Sequence, residues 1–232
     1  MHKKFPFFSL SFFLILNHLT AQDSLPLIKL NVLGKFSSPK DIVFSGDYKY
    51  IVIVGDNVDV WQLPEGKEVK QFPKNVDCEN QSAGFSPKND SMIIIQKVKK
   101  SCEVKIIHTS DWGIADKDNK KIKGAKYKDE PDTIWKRLHA MPQFSEFKSH
   151  FIPYNDQNSS IKYSGKDYSL EYQSHLLTIN YSGKTISQDI DGSSEIIGLS
   201  ENGQYLIINQ YSTEGRIINA VDVTKIISNK SK

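Results

Sequence analysis

One phrase recurs three times in this chain without a gap. It reads Val43-Phe44-Ser45-Gly46-Asp47-Tyr48-Lys49-Tyr50-Ile51-Val52-Ile53, then Gly84-Phe85-Ser86-Pro87-Lys88-Asn89-Asp90-Ser91-Met92-Ile93-Ile94, then Gly198-Leu199-Ser200-Glu201-Asn202-Gly203-Gln204-Tyr205-Leu206-Ile207-Ile208. Each copy has a large apolar residue, a serine, a turn rich in Gly, Asp, Asn, Pro or Lys, and a compact apolar run. Physically this is strand, tight turn, strand. The runs Ile51–Val54, Met92–Ile95 and Leu206–Ile208 do not alternate with polar residues, which predicts strands covered on both faces.

After the first run, Gly55-Asp56-Asn57 reverses the chain and Val58-Asp59-Val60-Trp61 alternates. Leu63-Pro64-Glu65-Gly66-Lys67 then turns it again toward a fourth strand at Glu68–Phe72. A four-stranded antiparallel meander with a doubly covered centre is what a propeller blade requires, because each blade packs face to face on the next. Ser45 and Ser86 are 41 residues apart, inside the roughly 40 to 45 residues of one blade. Ser86 and Ser200 are 114 apart, close to three periods, so two blades or one blade plus an insertion lie between them. The second arrangement is favoured. Ser149–Tyr154, Ser160–Tyr163 with Tyr168–Tyr172, His175–Tyr181 and Lys184–Ile190 read as one divergent blade, and residues 113–147 as the insertion. Within that insertion Ile134, Trp135, Leu138 and Met141 share a helical face that Pro142 would end; the alternative is an irregular loop that covers one end of the propeller.

The phrases resemble repeats of the WD40 and WD40-like β-propeller superfamily. The echoes are Phe44-Ser45-Gly46-Asp47 with Tyr50-Ile51-Val52, Phe85-Ser86-Pro87, Leu199-Ser200-Glu201-Asn202-Gly203 with Tyr205-Leu206, and Val58-Asp59-Val60-Trp61 followed by Gly66-Lys67. The superfamily's Gly-His pair and Trp-Asp dipeptide are missing from their usual places. The fold expected is all-β: a small or incomplete β-propeller of four or five blades, each a four-stranded antiparallel meander. Leu27–Phe36 looks like a strand without a blade of its own, and Arg216–Ile227 supplies the third strand of the last blade. Pairing the first strand into the last blade would close the ring and remove exposed sheet edges.

Residues 1–21 differ from the rest: Lys3 and Lys4 precede an apolar run, Phe7 to Leu16, that ends in Leu19-Thr20-Ala21. This reads as a secretory signal peptide, and ten apolar positions fall short of the roughly 20 that a membrane-spanning helix needs. The junction resembles leaders of exported bacterial proteins, so a periplasmic or extracellular location is expected for residues 22–232. Without the two leader lysines, 28 basic side chains face 27 acidic ones. That balance argues against a nucleic-acid partner, whose phosphates would call for a basic excess. The cluster from Lys117 to Lys123 is diluted by Asp111, Asp116, Asp118, Asp129 and Glu130 and reads as a solvated loop. Export favours a disulfide between the two cysteines, Cys78 and Cys102, although an intervening strand could hold them apart as free thiols.

The chemistry-bearing residues form no catalytic pattern. His108, His139, His150 and His175 are too dispersed for a zinc motif. No Gly-x-Ser-x-Gly elbow occurs, and Ser45, Ser86 and Ser200 recur at one repeat position, as turn formers do. Asp189-Ile190-Asp191-Gly192-Ser193-Ser194-Glu195 matches only part of a calcium loop and reads as a turn between blades. No catalytic, metal or cofactor residues are therefore expected, and no cofactor. Tyr154, Tyr163, Tyr168, Tyr172 and Tyr181 cluster in the divergent blade. The first four, with Trp135, are the candidate surface for a peptide or carbohydrate; the alternative is that they pack between blades, since tyrosine favours sheets.

What the resemblance implies is an exported interaction module without catalysis of its own that binds a protein, or a glycan, through one end of the ring. The alternatives are a non-catalytic propeller associated with a peptidase or a divergent glycan-active enzyme, and a structural component of the cell envelope.

Overall fold

The computed structural model describes residues 25, 27–29, 39–115, 119–154, 160–190, 192–212 and 215–230. The leader expected over residues 1–21 lies outside them, as do residues 30–36 of the expected first strand, residues 116–118 of the lysine cluster, and Asp191. Strands dominate the regular structure of the described residues. After β1 (Leu27–Lys29) comes sheet I, made of β2 (Asp41–Phe44), β3 (Tyr50–Val54), β4 (Val58–Gln62) and β5 (Lys67–Phe72). Sheet II contains β6 (Cys78–Phe85), β7 (Ser91–Val98), β8 (Ser101–His108) and β9 (Lys120–Lys126). Helix α1 (Pro131–His139) and a short strand β10 (Phe151–Pro153) follow. Sheet III is β11 (Ser160–Ser164), β12 (Tyr168–Gln173), β13 (Leu176–Tyr181) and β14 (Lys184–Asp189). Sheet IV is built on β15 (Ser194–Ser200), β16 (Tyr205–Ser212) and β17 (Gly215–Asp222), and helix α2 (Val223–Lys230) is the last described element.

Sheets I, II and III are four-stranded antiparallel meanders, as expected. Sheet IV has five strands in the order β1-β17-β16-β15-β10. The N-terminal strand β1 pairs with β17, Leu27 opposite Val221, so the first strand does complete the last blade. The fifth strand is a correction: Ser149–Tyr154 is not part of the divergent blade, because β10 pairs with β15, Phe151 opposite Ser200. A second correction concerns the insertion over 113–147. Its residues Lys120–Lys126 are the fourth strand of sheet II, paired with β8.

Alternate residues of the inner strands bury into different seams, which is why their apolar runs do not alternate with polar positions. In sheet I, Val43, Val52, Val54, Val58 and Val60 pack on Ala83, Phe85, Met92, Ile94 and Ile107 of sheet II. Their neighbours Ile42, Phe44, Ile51, Ile53 and Trp61 pack on Tyr205, Ile207, Ile218 and Ala220 of sheet IV. The other face of sheet IV, with Leu199, Leu206, Ile208 and Val221, packs on Ile161, Leu170, Tyr172, Leu177 and Ile179 of sheet III. The stacking order is therefore II, I, IV, III. The outer face of sheet II, with Ile93, Ile95, Cys102 and Val104, is covered by Ile134 and Leu138 of α1 and by Phe144 and Phe147. These four sheets make a propeller-like fan that stays open between sheets II and III, where the polypeptide carrying α1 intervenes.

The repeated serine explains the recurrence of the phrase. Ser45 Oγ accepts from Tyr50 N–H (3.0 Å) and donates to Asp47 (2.7 Å). Ser200 Oγ accepts from Tyr205 N–H (2.9 Å) and donates to Asn202 (2.7 Å), and Ser86 Oγ accepts from Ser91 N–H (3.2 Å) and donates to Asp90 (2.7 Å). Three residues after each serine the backbone is left-handed, at Tyr48 (φ 57°), Asn89 (φ 57°) and Gly203 (φ 76°). One side chain thus ties together a tight turn that must cross the same gap in three sheets.

Candidate binding cleft

The centre of the fan is occupied by the chain itself. Backbone hydrogen bonds join Lys148 to Phe85 of β6 in both directions, at 3.0 and 3.1 Å. Ser149 Oγ donates to the carbonyl of Ile42 on β2 (3.3 Å), and β10 then runs along β15. Residues 148–153 thus hold the inner strands of sheets II, I and IV together where a closed ring would have an axial channel. The Phe151 ring lies so tightly on Gly198 that a Cβ there would come within 1.8 Å of it, so any other residue at 198 would displace the ring.

Two openings flank this segment. At the end carrying the serine turns, a shallow depression of about 560 Å³ is lined by Gly46, Asp47, Pro87, Asn89, Glu146, Lys148 and His150. His150 Nδ1 lies 2.8 Å from Glu201, which also meets Lys148 at 3.5 Å. At the opposite end the seam between sheets I and IV opens into a cleft of about 370 Å³, within the size range of ligand sites. Its apolar lining includes Ile42, Phe151, Ile197 and Trp135, and its polar lining is Lys40, Asp41, Ser149, Glu195, Asn209 and Arg216.

Three elements converge on Asp41. Its carboxylate accepts from the hydroxyl of Ser82 on β6 and from the N–H of Ile42 (2.8 Å). Ser82 in turn accepts from the indole N–H of Trp135 on α1 (3.0 Å). Burial pushes the Asp41 carboxyl up to about 6, against the opposing pull of its hydrogen-bond donors. The Trp135 indole rests on Gly84, where a Cβ would lie 2.5 Å from the ring. Lys40, beside Asp41, is engaged by Glu79, whose carboxyl this contact holds down to about 2.

The wall from sheet IV is a second polar group. Glu195 accepts from Asn209 Nδ2 (2.8 Å) and from the Tyr211 hydroxyl (3.0 Å), which raises the Tyr211 hydroxyl above its ordinary value. Arg216 lies over the Tyr211 ring at 5.1 Å. Asn209 is only 1% exposed, and its amide oxygen is buried with no hydrogen-bond partner.

The sequence-expected residues fall differently. Trp135 lines the cleft. The tyrosines are drawn toward the core: Tyr172 is buried, and the partly buried Tyr154, Tyr163 and Tyr168 pack against the cluster between sheets III and IV. Tyr154 meets Tyr172 at 5.9 Å between ring centres and Tyr163 meets Tyr168 at 5.4 Å. Tyr163 also covers Gly203 of sheet IV. Their rings seal a seam, because β-sheet alternation turns that face inward. The Cys78–Cys102 disulfide is likewise corrected. Cys78 lies opposite Val98 and Cys102 opposite Lys97, so they flank successive positions of β7 and point to opposite faces. With two strand spacings between them, roughly 10 Å, they are beyond the reach of a bond, and both are free thiols.

Sequence reasoning did not single out Asp41, Glu195, Asn209 or Arg216 as site residues; the last three lie on neighbouring strands of sheet IV, and only stacking brings Asp41 of sheet I to them. Among the described residues no group of three or more His, Cys, Asp or Glu is placed to hold a metal ion, and no helix is long and apolar enough to cross a membrane.

No protein-family model matches the chain and no curated protein matches it in sequence. Among solved structures it is similar to Kuenenia stuttgartiensis hydrazine synthase, at 13% identity over 82% of this chain and 54% of that one, with a TM-score of 0.30. It is also similar to the mitotic checkpoint complex, at 9% identity over 96% and 58% with a TM-score of 0.33, and to the computationally designed Ika8 protein, at 13% identity over 82% and 47% with a TM-score of 0.28. The chain spans about half the length of these structures. At such TM-scores the likeness adds nothing to the sheets themselves, and the fold assignment rests on their pairing and stacking.

Proposed function

We propose that this chain is an exported, non-catalytic interaction module that binds a protein partner in the cleft between sheets I and IV. The observation that supports the reading is the cleft's make-up: a rigid apolar strip from inner strands, flanked by polar groups anchored to two different sheets and to α1. Recognition sites on sheet scaffolds have this form, with a few fixed polar groups setting orientation over an apolar floor. Export is read from residues 1–21 and the absence of catalysis from the lack of a nucleophile, base and oxyanion arrangement in the sequence.

The test is retention of partners from the native compartment by the tagged protein. Ile197→Lys places a charge on the cleft floor, whereas Thr178→Lys changes sheet III on its outer face. A partner retained by the unaltered protein and by Thr178→Lys, and lost with a still-folded Ile197→Lys, is the expected result. Equal retention by all three would move the binding surface elsewhere.

A further inference from the structure

We propose that the inner edge of sheet III, strand β11, takes up an extended segment of a partner protein as an added strand. This surface is separate from the cleft between sheets I and IV, so the inference goes beyond the reading of that cleft. The molecule itself shows what an inner edge binds. Residues 148–153 lie against the inner strands of the other three sheets: Lys148 pairs with Phe85 of β6, Ser149 donates to Ile42 of β2, and β10 runs along β15. Strand β11 is the fourth inner strand. It stands at the end of its sheet, and among the described residues β12 is its only strand partner.

The peptide groups that β11 leaves open follow from its hairpin. Gly165 N–H donates to the Tyr168 carbonyl (2.9 Å), which makes these two a hydrogen-bonded pair. Alternation along the ladder then turns the peptide groups of Ile161 and Tyr163 toward β12 and those of Ser160, Lys162 and Ser164 outward. No described residue takes up the outward groups. Lys162 and Ser164 are exposed, and Lys162, the one charged residue of β11, is neutralised by Glu171 at 2.8 Å. The outer edges are guarded differently. Strand β5 carries Lys67 and Lys70, β9 carries Lys121, Lys123 and Lys126, and β14 begins with Lys184; such charges discourage strand addition. An added strand would lay alternate side chains beside Ile161 and Tyr163 on one face and beside Ser160, Lys162 and Ser164 on the other. The segment that fits therefore alternates apolar and small polar residues.

The probe is the acetylated, amidated peptide Thr-Val-Thr-Val-Thr, titrated into the 15N-labelled protein. The amide signals of Ser160, Lys162 and Ser164 are expected to shift saturably and their hydrogen exchange to slow. Lys162→Pro removes one outward N–H without touching the β11–β12 ladder, as an edge strand permits, and should weaken the peptide about tenfold. Lys162→Ala keeps the N–H and should bind as the parent does. If Lys162→Pro does not fold, the peptide N-methylated at its central threonine makes the same test from the other side, and it should fail to bind. Equal binding in either blocked case, shifts confined to β5, β9 or β14, or no response would each overturn the inference. So would slowed exchange at these amides that depends on protein concentration alone, which would mark a second copy as the occupant. Ile197→Lys in the cleft should leave the peptide response unchanged, so the two surfaces are tested apart.

Discussion

At the scale of single residues, Asp41 carries the clearest energetic signature. Its carboxyl is raised from 3.8 to about 6 by burial, so the folded chain binds this proton more tightly than the unfolded chain does. Stability from this group is full below about pH 4, falls as pH rises through 4 to 6, and is flat above. A rise of this size corresponds to about 3 kcal/mol. Asp41→Asn removes the charge while its amide oxygen can still accept from Ile42. The variant is expected to match the parent near pH 4 and to exceed it by about 1–3 kcal/mol at pH 8, read from urea unfolding at both values; an equal difference at both would refute the assignment. The cysteines offer a simpler check. Cys102 is fully buried and donates to the Lys126 carbonyl (3.3 Å), whereas Cys78 is half-buried. Alkylation of the native protein should label Cys78 alone, and alkylation in denaturant without reductant should label both. A mass showing neither labelled in denaturant would restore the disulfide.

Among the elements, α1 shows how a segment that looks dispensable in sequence becomes part of the core. Its Pro131 starts the helix, and Ile134 and Leu138 point into the outer face of sheet II. A helix was expected from the spacing of Ile134, Trp135 and Leu138, but its role as a lid over sheet II was not. Each fully buried side chain of that size contributes about 1.5–3 kcal/mol. Replacing residues 131–144 with a short linker should therefore abolish cooperative thermal unfolding monitored by circular dichroism, where a mere surface insertion would leave it intact. Helix α2 was missed altogether, since residues 216–227 read as a strand. The signal was present: Asp222 caps the helix through Thr224 N–H (3.0 Å), and Val223, Ile226 and Ile227 have helical spacing.

On the scale of the whole molecule, the question is how an open fan of sheets ends without leaving apolar faces in water. One end is covered by α1. The other is sheet III, whose outward residues are mostly polar, Leu176 excepted: Lys162 pairs with Glu171 at 2.8 Å and Thr185 donates to Asn180 at 2.7 Å. Stacked arrays generally need such polar terminal faces. Thr178, opposite Glu171 on that face, should tolerate lysine with a change within about 0.5 kcal/mol. Its neighbour Ile179 points into the seam with sheet IV, and Ile179→Lys should prevent folding; comparable melting temperatures for the two would mean that the outward face is not where the stack ends. The recurring phrase by itself determined the strand content, the turns and the doubly buried inner strands, because serine geometry and apolar periodicity act over a few residues. The order II, I, IV, III, the central position of residues 148–153 and the cleft were decided only by tertiary structure. They depend on contacts between strands distant in sequence, such as Asp41 with Ser82 or Ser149 with Ile42, and local pattern carries no record of which faces will meet.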